Sequence, residues 1–167
     1  MKFLRVARLD DTDERVYPLA ARVGELAVPG TFVFTFSDQD PALLQGKERQ
    51  AFRHGFLGTS SFGWSTLAVI SEISEAEFKG VIEALAHHFV EFYGAPSLEE
   101  ALPYARAEAE YAAGLCEHEV NTLIAVERTA DAEGIHESFK VVTQTVDWEA
   151  ANSSIWQLVA EENDELG

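Results

Sequence analysis

The 167-residue sequence has few cysteines, few basic side chains and no long apolar run. Its single cysteine, Cys116, excludes an internal disulfide framework and a zinc site built from several thiolates. The longest clean aliphatic run, residues 67–70, is far shorter than the roughly 20 residues of a membrane-spanning helix. Arg5 and Arg8 interrupt the apolar start of the chain, so we expect no signal peptide. These scarcities predict a cytoplasmic protein without a membrane partner.

The scarcity of basic residues leaves a formal net charge of −17, from 12 basic and 29 acidic side chains. Residues 99–167 carry most of it, because 3 basic residues there accompany 16 acidic ones. Such a surface repels phosphate backbones, so we expect no nucleic-acid partner. The acidity is typical of a solubilising surface, and a basic protein docking on the C-terminal half is the alternative.

Length and a hydrophobic content of 47% are those of one globular domain. We expect that domain to cover residues 1–160, followed by an acidic, frayed tail at residues 161–167. The predicted strands and helices do not alternate regularly, which disfavours a doubly wound parallel sheet. The pattern favours an α+β fold with a mainly antiparallel sheet and about four helices packed on it.

Turn residues and alternating patterns predict the N-terminal elements. Residues 3–9 form a strand, an acidic turn follows, and residues 15–20 return as a second strand. Residues 31–36 carry phenylalanine at every second position, which predicts a strand with an aromatic inner face. Asp40 and Pro41 are typical of a helix N-terminus, and a helix of roughly 13 residues is expected to end near Gly55. Residues 65–73 are a buried-looking strand.

Capping patterns predict the C-terminal elements. Ser74 and Glu77 form a capping box for a helix that ends at Gly94. A second helix begins at Ser97, or at Pro103, and reaches about residue 115. Residues 122–128 and 135–142 are expected to form a β-hairpin. A last helix is predicted from helical spacing, with Trp148, Ala151, Ile155, Leu158 and Val159 on its apolar side.

Two groups of residues resemble metal or thiol sites. Glu83, His87 and Glu91 share one helix face at spacings that suit a divalent cation, but that face is opposite the apolar stripe and should be solvated. The neighbouring His88 lies at the border of the stripe. Cys116 lies near His118, yet it continues a small apolar face of the preceding helix and is expected in the core. We therefore expect no metal and no cofactor. The small apolar face consists of Leu102, Ala105, Ala109, Ala113 and Cys116.

A second apolar stripe on the same helix contains Tyr104, Tyr111 and Leu115. A helix that is apolar on two sides is buried on both, either inside the domain or against a partner. Tyrosines are typical of protein interfaces that are partly accessible to water. A homodimer is the simplest partner arrangement, because symmetric dimers are the commonest soluble oligomers.

Residues 52–66 concentrate glycines, aromatics and hydroxyls in one short stretch. Arg49 and Arg53 share a helix face that leads into it, and glycine-rich backbone can point several N–H groups at an anion. The glycines do not match a phosphate loop or a nucleophile elbow. The alternative is a structural turn whose aromatics fill the core. The predicted site for a carboxylate or phosphate consists of Arg49, Arg53, His54, Thr59, Ser60, Ser61 and Trp64.

Four segments, at residues 1–5, 50–59, 61–67 and 115–116, resemble a family of small acidic proteobacterial proteins known as a domain of unknown function. The likeness covers nearly the whole chain and implies a bacterial, cytoplasmic, single-domain protein with no assigned activity. From the residues we expect a non-enzymatic accessory or interaction protein that forms a homodimer. A binding protein or simple enzyme for an anionic small molecule is the alternative.

Overall fold

A computed structural model describes residues 1–143. Within that range seven strands form one antiparallel sheet, in the order β4-β3-β2-β1-β5-β6-β7. The α+β fold with a mainly antiparallel sheet is therefore confirmed. The elements in chain order are β1 Lys2–Ala7, α1 Thr12–Val16, β2 Leu26–Val28, α2 Phe32–Thr35, a 3-10 turn Pro41–Leu43, α3 Gly46–His54, β3 Phe56–Gly58, β4 Trp64–Ser65, β5 Leu67–Glu72, α4 Glu75–Phe92, α5 Leu98–Gly114, β6 Leu123–Asp131 and β7 Gly134–Val142.

The sheet is strongly curled. Four strands separate β3 from β7 in the sheet order, a distance of more than 20 Å in a flat sheet at about 4.8 Å per strand. The rings of Phe56 in β3 and Phe139 in β7 nevertheless lie only 6.2 Å apart. The curl brings the two ends of the sheet towards each other, which positions side chains of β7 beside the loops that follow β2 and α3.

Locally encoded caps appear as the sequence predicts. Ser74 and Glu77 form a complete capping box, with the Ser74 hydroxyl accepting from the Glu77 N–H at 3.1 Å. The Asp40 carboxylate accepts from the N–H of Ala42 at 3.0 Å. Ser97 caps α5, so that helix begins at Leu98 and continues through Pro103. The β6–β7 hairpin is also confirmed.

Three N-terminal predictions are wrong. The returning strand at residues 15–20 is absent, because Asp10 accepts from the backbone and hydroxyl of Thr12 in a turn that leads into the helix α1. The helix of 13 residues is divided into the 3-10 turn and α3, since Gly46, the first residue of α3, takes a left-handed φ of +61°. The strand at residues 31–36 is instead the single-turn helix α2, which follows a left-handed Gly30.

The small residues of α5 pack into the core beside α4. Four alanines and Cys116 are buried there, and Leu102 is 40% exposed rather than buried as predicted. Alanines allow close approach of the helix backbone to its neighbours. The predicted helix around Trp148 and the proposed domain end at residue 160 lie outside the described residues. The buried members of this face are Ala101, Ala105, Ala109, Ala112 and Cys116.

Candidate functional site

The glycine-rich turn after β3 forms an anion nest, and the anion in it is a carboxylate of the same chain. The N–H groups of Ser60 and Ser61 donate to Glu25 Oε1 at 2.8 and 2.9 Å. The Ser61 hydroxyl and the Arg22 N–H donate to Glu25 Oε2, both at 2.6 Å. Gly58 permits this approach, because a Cβ there would lie 2.4 Å from the carboxyl group. The nest that the sequence suggests for a ligand is thus filled from within.

The hydrogen bonds of the nest outweigh the effect of burial on Glu25. Burial alone would raise the pKa of this carboxyl group, but the donors from Ser61, Arg22 and Ser60 together lower it below 4.5. A lowered folded-state pKa means that the carboxylate stabilises the fold above the unfolded pKa. That stabilisation is lost as the pH falls through the folded pKa.

Replacing Glu25 with glutamine is expected to lower the free energy of unfolding by about 1 to 2 kcal/mol at pH 7, because hydrogen bonds to a charged acceptor are lost. Urea unfolding of both proteins between pH 7 and pH 3 measures the effect. The difference should shrink as the pH falls from the unfolded-state pKa through the lowered folded-state pKa, because the wild-type carboxylate then becomes protonated. Glu133→Gln, in the exposed hairpin loop, is the control. A difference that is independent of pH would contradict the nest.

The structure does not bring the remaining predicted ligand residues to this nest. Arg49 is exposed on α3, and Arg53 Nη2 lies 4.0 Å from Glu127 Oε2 of β6. His54 Nδ1 lies 3.4 Å from the carbonyl of Val126, and burial lowers its pKa. The cleft of about 610 Å³ beside the nest is lined by Leu19, Thr59, Ser60, Ser61, Phe62, Ala84, His87, His88, Glu91 and Phe92, and so it lies against α4 rather than α3.

The predicted Trp64 is a core residue. Its side chain is 8% exposed and lies 5.4 Å from Phe34 between ring centres. It also lies against Gly30 and Gly55, where an added Cβ would approach the indole to 3.2 and 2.6 Å. Trp64 therefore fills the space between the loop after β2 and the end of α3.

A buried arginine outside the predicted site joins three parts of the fold. Arg128 of β6 is 0% exposed. Its Nη1 donates to the carbonyls of Phe52 and Gly55 at 2.9 Å each, at the C-terminal end of α3. Its Nη2 donates to the carbonyl of Pro29. The signal for this role was readable, because Arg128 continues the inward alternation of Ile124 and Val126 along β6.

Glu137 of β7 balances the charge of Arg128. Its Oε1 accepts from Arg128 Nε at 3.1 Å and from the Thr31 hydroxyl, and its Oε2 accepts from the Tyr111 hydroxyl at 2.7 Å. Burial lowers the pKa of Arg128, and the charge of Glu137 opposes that shift. Burial and the adjacent Glu137 raise the pKa of Tyr111 and of Glu108. The arrangement is a neutralised structural network that ties α5 to the hairpin.

A second polar cluster surrounds Asp13, which is 5% exposed. The carboxylate accepts from the backbone and hydroxyl of Thr66 at 3.2 and 2.9 Å, and that hydroxyl lies 2.6 Å from the Tyr17 oxygen. Burial raises the pKa of Asp13 despite these bonds. A cavity of about 290 Å³ lies beside it, bordered also by Arg8. The cluster connects α1 to the start of β5.

The surroundings of His87, His88 and Cys116 are those of packed or exposed residues and not of a metal or thiol site. The His88 ring stacks on Phe62 at 3.7 Å, and His87 is exposed. Among residues 1–143, no three side chains of metal-binding type converge. Cys116 is buried, and burial raises the pKa of its thiol to about 11. Such a thiol stays protonated at neutral pH and is not an activated nucleophile.

The apolar stripe of Tyr104, Tyr111 and Leu115 on α5, here called the tyrosine face, is partly exposed. Tyr104 is 69% exposed and Tyr111 is 45% exposed, while Leu115 is half-buried. Tyr111 also contacts Phe139 of β7, with 6.2 Å between ring centres. Of the predicted interface residues, Tyr111 therefore borders the hairpin, whereas Tyr104 is largely exposed to solvent. Of the helices that the structure describes, none has the length and apolar character to cross a membrane.

Sequence similarity to known proteins is confined to a family model. No curated protein and no solved structure matches it. A family model does match, over residues 1–155, which is most of the chain. The chain therefore belongs to the family of unknown function DUF6505.

Proposed function

We propose that this chain is a non-enzymatic interaction protein that acts as a homodimer, with the tyrosine face of α5 in the interface. The observation that carries the proposal is the exposure of Tyr104, a large aromatic side chain that is 69% exposed on α5. Tyrosine is among the residues most enriched in protein interfaces.

The polar clusters of the described chain support a binding role over catalysis. Glu25 occupies the nest, Glu137 neutralises Arg128, and Thr66 bonds both oxygens of Asp13. Catalytic groups need free reach to a substrate, whereas these are held by internal partners. The alternative function, a site for an anionic ligand at Thr59–Ser61, has less support, because Glu25 accepts from Ser60 and Ser61 and the Leu26 carbonyl accepts from Thr59.

Two further aspects of the proposal follow from charge and cysteine chemistry. The excess of acidic residues in the C-terminal half favours a basic protein as an additional partner of the dimer. The single, buried, unpaired Cys116 fits the reducing cytoplasm.

Replacing Tyr104 with serine is expected to raise the dissociation constant of the dimer about tenfold, because a truncated aromatic anchor costs more than 1 kcal/mol at an interface. Sedimentation velocity at about 0.15 M salt, where charge repulsion is screened beyond roughly 8 Å, measures it. Leu43→Ser is the matched control, since Leu43 is 75% exposed outside α5. Equal effects of the two substitutions would contradict the assignment of the tyrosine face.

A further inference from the structure

The outer edge of β7 carries a long row of backbone groups that have no partner within residues 1–143. In the described sheet β7 pairs with β6 on one side and ends the strand order on the other. The opposite end of the sheet is β4, which has two residues, whereas β7 has nine. The two edges therefore differ greatly in how much backbone they leave open.

The hairpin geometry identifies the open groups. The two-residue loop 132–133 joins Asp131 and Gly134, which face each other at the end of the ladder. In such a hairpin this closing pair exchanges both hydrogen bonds, and every second pair along the ladder does the same. The N–H and C=O groups of the intervening residues point away from β6. On β7 these residues are Ile135, Glu137, Phe139 and Val141.

The edge lacks two of the features that natural proteins use to block strand addition, a bulge and an internal proline. Its register with β6 runs through nine consecutive pairs, so the strand contains no bulge. It contains no proline, and its only glycine is at the first position. A long, regular edge of this kind is a template for pairing with another chain.

The charges of β7 are compensated within its own hairpin. Each ionisable side chain of the strand contacts an oppositely charged or hydrogen-bonding group of β6, so the edge itself carries little net charge. This matters for a chain of net charge −17, because a second copy can approach here without placing unpaired carboxylates together. The pairs are Arg128–Glu137, Glu127–Lys140 and Asp131–His136, at 3.1, 3.2 and 3.0 Å.

The geometry points to a second copy of this chain as the partner of β7. Two copies related by a two-fold axis would pair their β7 strands antiparallel and join two seven-stranded sheets into one. This inference rests on the proposed homodimer and specifies its interface. It is continuous with the tyrosine face, because Tyr111 contacts Phe139 and bonds to Glu137 of the same strand. Tyr104 lies seven residues earlier, on the same side of α5.

The symmetry restricts the register. A two-fold axis perpendicular to the paired strands places one residue opposite itself. If Glu137 occupied that position, its carboxylates in the two copies would face each other, and like charges destabilise a cross-strand pair. Ser138 or Phe139 at the centre avoids this conflict.

Amide hydrogen exchange of the full chain, followed by NMR at concentrations about tenfold below and tenfold above the dissociation constant, tests the inference. The amides of Ile135, Glu137, Phe139 and Val141 should exchange slowly only at the higher concentration. The amides of His136, Ser138 and Lys140, which face β6, should be protected at both. Slow exchange of the first set at both concentrations would assign the edge to another segment of the same chain and overturn the inference.

A pair of substitutions gives an independent test. Ile135→Pro removes an outward N–H in each copy, and Ile135→Ala removes the side chain but keeps the N–H. We expect the proline variant to raise the dissociation constant at least tenfold above that of the alanine variant, because two hydrogen bonds are lost per dimer. Equal constants in a chain that still dimerises would reject β7 pairing and leave the homodimer intact. A monomer in the wild type would reject both.

Discussion

Arg128→Met is expected to lower the free energy of unfolding by about 3 to 5 kcal/mol, the cost of breaking a buried ion pair by removing one partner. The substitution leaves the Glu137 carboxylate without its cation and leaves the carbonyls of Phe52, Gly55 and Pro29 without a donor. Urea unfolding monitored by circular dichroism gives the loss. A variant that does not fold at 25 °C would agree with the expectation.

Arg106→Met is the matched control, because Arg106 is exposed on α5 and the chemical change is the same. We expect a change within about 0.5 kcal/mol for this control. Arg128→Lys tests the geometry of the guanidinium. Lysine keeps the charge but cannot reach several carbonyls and a carboxylate in one plane, so we expect much of the loss to remain. A loss below about 1 kcal/mol for Arg128→Met would contradict the role of the network.

Gly30→Ala is expected to cost about 2 to 4 kcal/mol, for two reasons that act together. Gly30 has a φ of +78°, which strains any residue with a Cβ. An added Cβ would also lie 2.5 Å from Leu57 Cβ and 3.2 Å from the Trp64 ring. Displacing Trp64 disturbs the loop whose Pro29 carbonyl accepts from Arg128. Thermal unfolding measures the loss as a lower melting temperature.

Gly24→Ala separates the two reasons. Gly24 has a similar φ of +91°, but nothing lies within 4 Å of an added Cβ. We therefore expect only the backbone strain there, about 1 kcal/mol. Equal losses at Gly24 and Gly30 would show that crowding by Leu57 and Trp64 contributes nothing.

Much of the fold could be predicted because its signals are local. The capping box at Ser74, the cap at Asp40 and the β6–β7 hairpin each depend on residues within a few positions of one another. The strand predicted at residues 31–36 failed because alternating aromatics do not specify a strand by themselves. Phe32 packs on Phe89 of α4, whereas Phe34 packs on Phe52 of α3, so the side chains leave a helical turn in different directions.

The candidate site also combines a local feature, which the sequence indicates, with long-range partners, which it does not. The glycines and hydroxyls around Ser60 indicate a backbone nest, because nest formation is a local property. Its anion, Glu25, lies 35 residues earlier in the chain, and no local pattern identifies it. Arg128 bonds to carbonyls more than 70 positions away. Long-range polar partners of this kind follow from the curl of the sheet, which no single segment encodes.

Multi-angle light scattering of the purified full chain during size-exclusion chromatography tests the proposed function most directly. We expect a molar mass of twice the 18.4 kDa of one chain, falling towards that of one chain on dilution. A molar mass of one chain at every loading concentration would contradict the homodimer, and with it both the tyrosine-face interface and the pairing of β7.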